Sequence, residues 1–244
     1  QADQMMSAAK TQQCKLMVYQ PHRARVEVVA LREILSQDLI GPLTMIKRAA
    51  SRYVRRDDWQ AFSQYGGGML NNYGAHYIDQ LLYLSGSAAR KVSCALRTVA
   101  SLGDAEDVVK AVIETESGAI LDVDINMAAA HPFPSWQILG KRGSIVLDPG
   151  DRAWQVRYFR EDELPQMAAQ EGLAAQGRRY PSNQPIPWRE ASFSIADYEP
   201  VHFYERCYAF YALDEPPFVP IAETREVMRV LSECRQSAAS AVGR

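Results

Sequence analysis

The run Leu121-Asp122-Val123-Asp124-Ile125-Asn126-Met127 alternates apolar and polar residues without a break. An extended chain turns successive side chains to opposite sides, so the run predicts a strand with one buried and one wetter face. Residues 107–115 pair with it plausibly across Glu116-Ser117-Gly118, which predicts an antiparallel hairpin. Trp136 to Leu147, broken at Gly140-Lys141-Arg142-Gly143, predicts a second hairpin, and the chain from about 90 to 160 reads as strands.

Helical patterns gather at the two ends. Residues 2–12 resemble the tail of a helix, and Val26 to Gln37 has a helical period with Val29, Ala30, Leu31 and Ile34 facing inward. Two helices close the chain, the last with Val227, Val230, Leu231, Cys234, Ala238 and Ala241 on one stripe. Between these, Lys15 to Tyr19 predicts a short buried strand stopped by Pro21, and 43–52 predicts another. Residues 53–65 predict a loop lying over something, and 161–197 an irregular surface excursion. The expected fold is α+β: a two-layer domain with a large, mostly antiparallel open sheet covered by helices on one face. No linker divides it.

Composition narrows the partners. The chain has 244 residues with a formal net charge of −2, which supplies no electrostatic reason to bind nucleic acid or an anionic membrane. No run approaches the roughly 18 apolar residues of a membrane span. The cysteines Cys14, Cys94, Cys207 and Cys234 form no C-x-x-C and indicate neither a zinc site nor a disulfide framework; they read as buried thiols in a reducing, cytoplasmic setting. His131 and His202 have no ligand-spaced neighbour, so no metal is expected.

The chemistry concentrates in Gly66-Gly67-Gly68-Met69-Leu70-Asn71-Asn72-Tyr73-Gly74-Ala75-His76-Tyr77-Ile78-Asp79. Glycines open backbone conformations closed to other residues, and a helix over 72–85 follows, ended by Gly86. On that helix Asn72, His76 and Asp79 fall at i, i+4 and i+7, while Ile78, Leu81 and Leu82 suit a core. An imidazole on a rigid element beside an amide and a carboxylate is a proton acceptor in position. A helix histidine bonded for structural reasons is the competing reading, and Asn71 or Asn72 could be a plain N-cap.

This run resembles the G-G-G-x-L-x-D-x-G-x-H-x-x-D signature of the Gfo/Idh/MocA oxidoreductases. Arg23 before an amphipathic helix, Ile40-Gly41, the Ile138 to Ile145 hairpin and Pro216-Pro217 are similar to further family segments. The resemblance implies a C-terminal substrate-binding and oligomerisation domain at 21–244. It also implies that residues 1–20 are a remnant of the nucleotide-binding half. The implied cofactor is NAD or NADP in the full-length parent, with none bound tightly to this chain, which is expected to be inactive alone. The implied substrate is a carbohydrate-like sugar, polyol or related hydroxy compound. The implied partner is a second copy, as a homodimer or homotetramer through the open sheet face.

The resemblance also assigns residues. His76 would exchange the hydroxyl proton during hydride transfer. Asn72 would orient it, although the family usually has aspartate there, and an amide carries no charge. Asp79 would support His76 or fix the helix surface. Arg23, Gln20 and Trp59 would line the substrate cleft, with an exposed arginine and a core-covering tryptophan as the plainer readings. Tyr19, Tyr73, Tyr77 and Tyr83 could hydrogen-bond a sugar or simply pack. A non-catalytic oligomerisation or ligand-binding domain of the same fold remains the alternative, with a metal-dependent hydrolase using Asn72, His76 and Asp79 behind it.

Overall fold

The computed structural model describes residues 1–167 and 185–242. Its helices are α1 (Ala2–Thr11), α2 (Val26–Ser36), α3 (Ala75–Ser85), α4 (Phe203–Leu213) and α5 (Ile221–Val242). Its strands are β1 (Leu43–Ser51), β2 (Ala89–Arg97), β3 (Val108–Thr115), β4 (Ile120–Asn126), β5 (Trp136–Gly140), β6 (Gly143–Leu147), β7 (Ala153–Tyr158) and β8 (Arg189–Ser194). All eight form one open sheet in the order β2-β3-β4-β1-β5-β6-β7-β8, antiparallel except where β1 runs parallel to β4. The α+β architecture expected from the sequence is the one observed.

Alternation decides which face is covered. Val109, Ala111 and Ile113 on β3, and Leu121, Val123 and Ile125 on β4, are completely buried and pack with Ile78 and Leu81 of α3 and Val230 of α5. Their half-buried neighbours Lys110, Asp122 and Asp124 project from the opposite face, where Lys110 Nζ pairs with Asp122 at 2.6 Å and Asp124 at 3.1 Å. The predicted hairpins pair in register, with Ala111 opposite Val123 and Ile138 opposite Ile145. Trp136 and Trp154 fill the core under the second hairpin, their rings meeting edge to face at 6.1 Å.

Several expectations need correction. Lys15 to Tyr19 joins no ladder; Lys15 and Tyr19 are exposed, and the Met17 N–H donates to the Tyr211 hydroxyl instead. Within the supposed excursion, Arg189–Ser194 forms edge strand β8, while residues 168–184 lie outside the described residues. Helix α2 buries Val28 rather than Val29, a shift of one position in phase. The α5 stripe is buried as expected at Val227, Val230, Leu231, Cys234 and Ala238; Ala241 lies outside the residues whose side chains are described. No described helix is long and apolar enough to cross a membrane.

The glycine run has a steric explanation. Gly66 is left-handed at φ +74, and a Cβ on Gly67 would stand 2.4 Å from the Gln60 carbonyl oxygen. Gly68 has φ +98, and a Cβ there would meet the Glu106 carboxylate at 2.3 Å. That carboxylate accepts from the Leu70 N–H at 3.0 Å, satisfying a donor at the start of the helical stretch from another part of the chain. Gly68→Ala is therefore expected to lower stability by about 2–3 kcal/mol, through strain and a displaced cap. A urea unfolding midpoint equal to wild type would refute this account of the glycines.

Candidate functional site

The glycine turn feeds a π-turn over Leu70–Gly74, which runs directly into α3. A π-turn bonds five residues back instead of four, so the simple i, i+4 facing breaks down across it. Asn72 consequently donates to Gln60 Oε1 at 2.6 Å, away from the imidazole it was expected to orient. Neither asparagine is an N-cap: Asn71 donates its amide to the carbonyl of Gly66 at 2.9 Å and accepts from Arg235.

His76, half-buried on the first turn of α3, is held by another residue. Its Nδ1 lies 2.7 Å from Gln20 Oε1. An amide oxygen only accepts, so Nδ1 carries the proton and Nε2 keeps the lone pair. No partner for Nε2 appears among the described residues. The His22 ring stacks on His76 with centroids 3.9 Å apart and planes 26° from parallel. His22 belongs to a short 3₁₀ turn, Pro21–Ala24, whose backbone is tied to α3 where the His22 carbonyl accepts from Gln80 Nε2 at 2.9 Å.

Both imidazoles are biased towards neutrality. Burial lowers the His76 pKa, Arg25 adds to the effect, and Asp79 opposes it. Burial, helped by His76, Arg25 and Arg48, brings His22 down to about 4. A histidine depressed in the folded state binds fewer protons than the unfolded chain, so stability is lost as pH falls from about 6.5 towards 4. For a half-buried ring the screened loss is about 1–2 kcal/mol. Urea titrations of wild type and His22→Phe should diverge in that window, with the variant losing less; parallel curves would contradict the assignment.

Arg23, expected to line the cleft, is instead buried, and Asp79, expected to support His76 or fix the helix surface, is bonded to Arg23. Arg23 is 2% exposed and Asp79 fully buried, joined at 2.7 Å from Nε and 2.6 Å from Nη2 to the two carboxylate oxygens. The second guanidinium edge bonds Glu223. Burial works against the Arg23 charge, but these carboxylates hold its pKa above the ordinary arginine value. Burial pushes Asp79 upward while Arg23 opposes it, and the two-pronged contact fits an ionised pair. Arg23 thus spends each of its three nitrogens on a carboxylate, and Asp79 both of its oxygens on Arg23, so both side chains are held within the fold.

The remaining candidates are scattered. Gln20 is buried and serves as the clamp on His76. Trp59 stands 58% exposed on the turn Trp59–Ala61. The tyrosines mostly pack against cations: Arg48 lies 4.3 Å from the Tyr77 ring, Arg52 donates to the Tyr73 hydroxyl at 2.6 Å, and Tyr83 is contacted by Arg23 and Arg32. Tyr19 is exposed and meets Phe203 edge to face. Cavities of about 500 and 360 Å³ share Arg23 and Tyr83, and His76 lines neither. Among the described residues no group of three or more His, Cys, Asp or Glu is placed to hold a metal ion. The four cysteines are free thiols.

A dinucleotide pyrophosphate needs glycine backbone it can approach closely. Here Gly67 lies against the Gln60 carbonyl and Gly68 against the Glu106 carboxylate, so the chain's glycine-rich run does not fit that group.

The fold is thus a mostly antiparallel open sheet backed by helices, with a half-buried histidine on α3 held between Gln20 and His22. Residues 28–146 match the model of the GFO/IDH/MocA C-terminal domain. Among solved structures, an NAD-binding protein from Listeria innocua is similar, at 20% identity and TM-score 0.80, over 98% of this chain and 69% of that one. An oxidoreductase from Bacillus cereus is 13% identical with TM-score 0.71, covering 96% of this chain and 68% of its own. The WlbA dehydrogenase from Bordetella pertussis, in complex with NADH and UDP-GlcNAcA, is 18% identical with TM-score 0.68, over 98% of this chain and 65% of that one. At these identities the likeness is one of fold. The chain spans about two thirds of the length of each. No curated protein sequence matches it.

Proposed function

We infer that this chain is the substrate side of an NAD(P)-dependent oxidoreductase acting on a sugar, polyol or related hydroxy compound. One observation carries the reading: His76 is half-buried and fixed through Nδ1 by Gln20, which leaves Nε2 as a lone-pair acceptor. Kept neutral by its surroundings, it can take a proton from a substrate hydroxyl and return it in the reverse direction. Gln20 sets the tautomer, and the Arg23–Asp79 pair joins the turn before α2 to α3, which holds Gln20 near His76. Trp59, exposed on its turn, would contact substrate, and Asn72 would steady the Gln60 loop beside it. The dinucleotide would be bound by protein other than the described residues. The test is turnover of a panel of polyols and sugars with NAD or NADP, by protein that includes a dinucleotide-binding domain. Equal rates for wild type and His76→Ala would dismiss the reading.

A second reading, self-association without catalysis, has one observation of its own. The uncovered sheet face sets half-buried Met45, Val112 and Ile120 around the Lys47–Asp124–Lys110 ion pairs, a mixed surface that suits a second copy of the chain. Sedimentation velocity should show a dimer or tetramer; a monomer at high concentration would refute it.

A further inference from the structure

Nothing in the residue pattern pointed to His22, yet its ring makes the closest aromatic contact in the described structure. We propose that His22 is a positioning residue: it is the flat platform against which His76 is clamped, fixing the direction in which Nε2 presents its lone pair. The proposal rests on His76 being the acid/base group.

Two constraints are needed to fix an imidazole on a helix. A hydrogen bond at Nδ1 sets the tautomer but leaves the tilt of the ring about its broad Cβ–Cγ torsion less tightly fixed. Gln20 supplies that bond at 2.7 Å. A planar surface fixes the tilt, and His22 supplies it at 3.9 Å and 26°. The two contacts lie on neighbouring residues of one short segment. Pro21 starts its turn, Gln80 anchors the His22 carbonyl, and Arg23 locks the following position to Asp79. Platform and clamp therefore move with α3 as a unit.

The chemistry of the platform matters as well as its shape. His22 Nδ1 is buried and has no hydrogen-bond partner among the described residues, so a proton placed there would go unpaired. The charged groups acting on the stack are Asp79 from α3, Arg25 from beyond the turn and Arg48 from β1. With two cations beside it and its own counter-ion absent, His22 stays uncharged. A proton taken by His76 then remains there, on the ring that faces substrate, and is not passed to the platform.

The experiment is nitrogen-15 NMR of the chain itself, following the tautomer and titration of His76 in wild type, His22→Ala and His22→Phe. Wild type should show the Nδ1–H tautomer, with cross-relaxation between the two rings. In His22→Ala the Nδ1–H tautomer should persist through Gln20 while the fixed orientation of the ring is lost, and the His76 midpoint should rise by about half a unit to one unit as the ring rehydrates. His22→Phe keeps a flat face and should preserve the wild-type pattern. In the cofactor-competent enzyme His22→Ala should lower kcat about tenfold with little change in KM. An unchanged His76 signal in folded His22→Ala would overturn the proposal, as would a Phe variant that behaves like Ala. If His22→Ala does not fold, absence of ring-to-ring cross-relaxation in wild type does the same. The NMR arm needs no turnover, so failure of the oxidoreductase reading shows separately as equal rates for His76→Ala.

Discussion

Asp79→Ala is expected to destabilise the fold by about 3–5 kcal/mol, a loss comparable with emptying part of the hydrocarbon core. The reason is the charge left behind. Arg23 is 2% exposed and bonds both Asp79 oxygens, and its other carboxylate partner, Glu223, keeps a side chain 47% exposed. Removing Asp79 leaves a buried guanidinium with one half-solvated counter-charge. The same reasoning predicts the remedy. Arg23→Met with Asp79→Leu removes both charges, and this double variant should recover most of the lost stability, because a buried pair and a packed apolar pair are close in free energy. Urea unfolding with an unchanged slope is the measurement. A loss below about 1 kcal/mol for Asp79→Ala would mean that water reaches the pair, and its structural assignment would fail.

What the amino-acid order made legible, and what it did not, follows from the range of each interaction. The hairpins β3–β4 and β5–β6 depend on alternation and short turns, both local, and they appear where expected. Strand β8, Arg-Glu-Ala-Ser-Phe-Ser, has too few apolar residues to announce itself; it exists because β7 offers a free edge. The parallel pairing of β1 with β4 joins strands far apart in sequence, and no local pattern encodes it. The site divides in the same way. His76 could be found from its motif, and its place on α3 follows from the helical period. Its partners could not. The π-turn takes Asn72 to Gln60, and the residues that do hold the ring, Gln20 and His22, come from a segment more than fifty positions earlier. Glu106, which caps the helical stretch and requires Gly68, is equally remote. Asp79 was visible as a carboxylate on the right face, but only burial shows that Arg23 claims it.

In an enzyme assembled with its cofactor, His76→Ala is expected to lower kcat/KM for hydroxyl oxidation by about 10²–10⁴-fold, the usual contribution of a positioned general base. His76→Gln should do no better, since an amide can bond Gln20 and substrate but cannot accept a proton. The pH profile carries more information than the rate. The base must be neutral, so oxidation should fall off on the acid side through the His76 pKa, which burial and Arg25 place below the ordinary histidine value. Gln20→Glu puts a carboxylate where the amide oxygen now accepts from Nδ1–H, and it stabilises the imidazolium. The acid limb should then move upward by about one unit while Nε2 keeps its orientation. A profile that does not respond to Gln20→Glu, in an enzyme that has lost its activity with His76→Ala, would mean that the ring is needed for its shape and that the proton goes elsewhere.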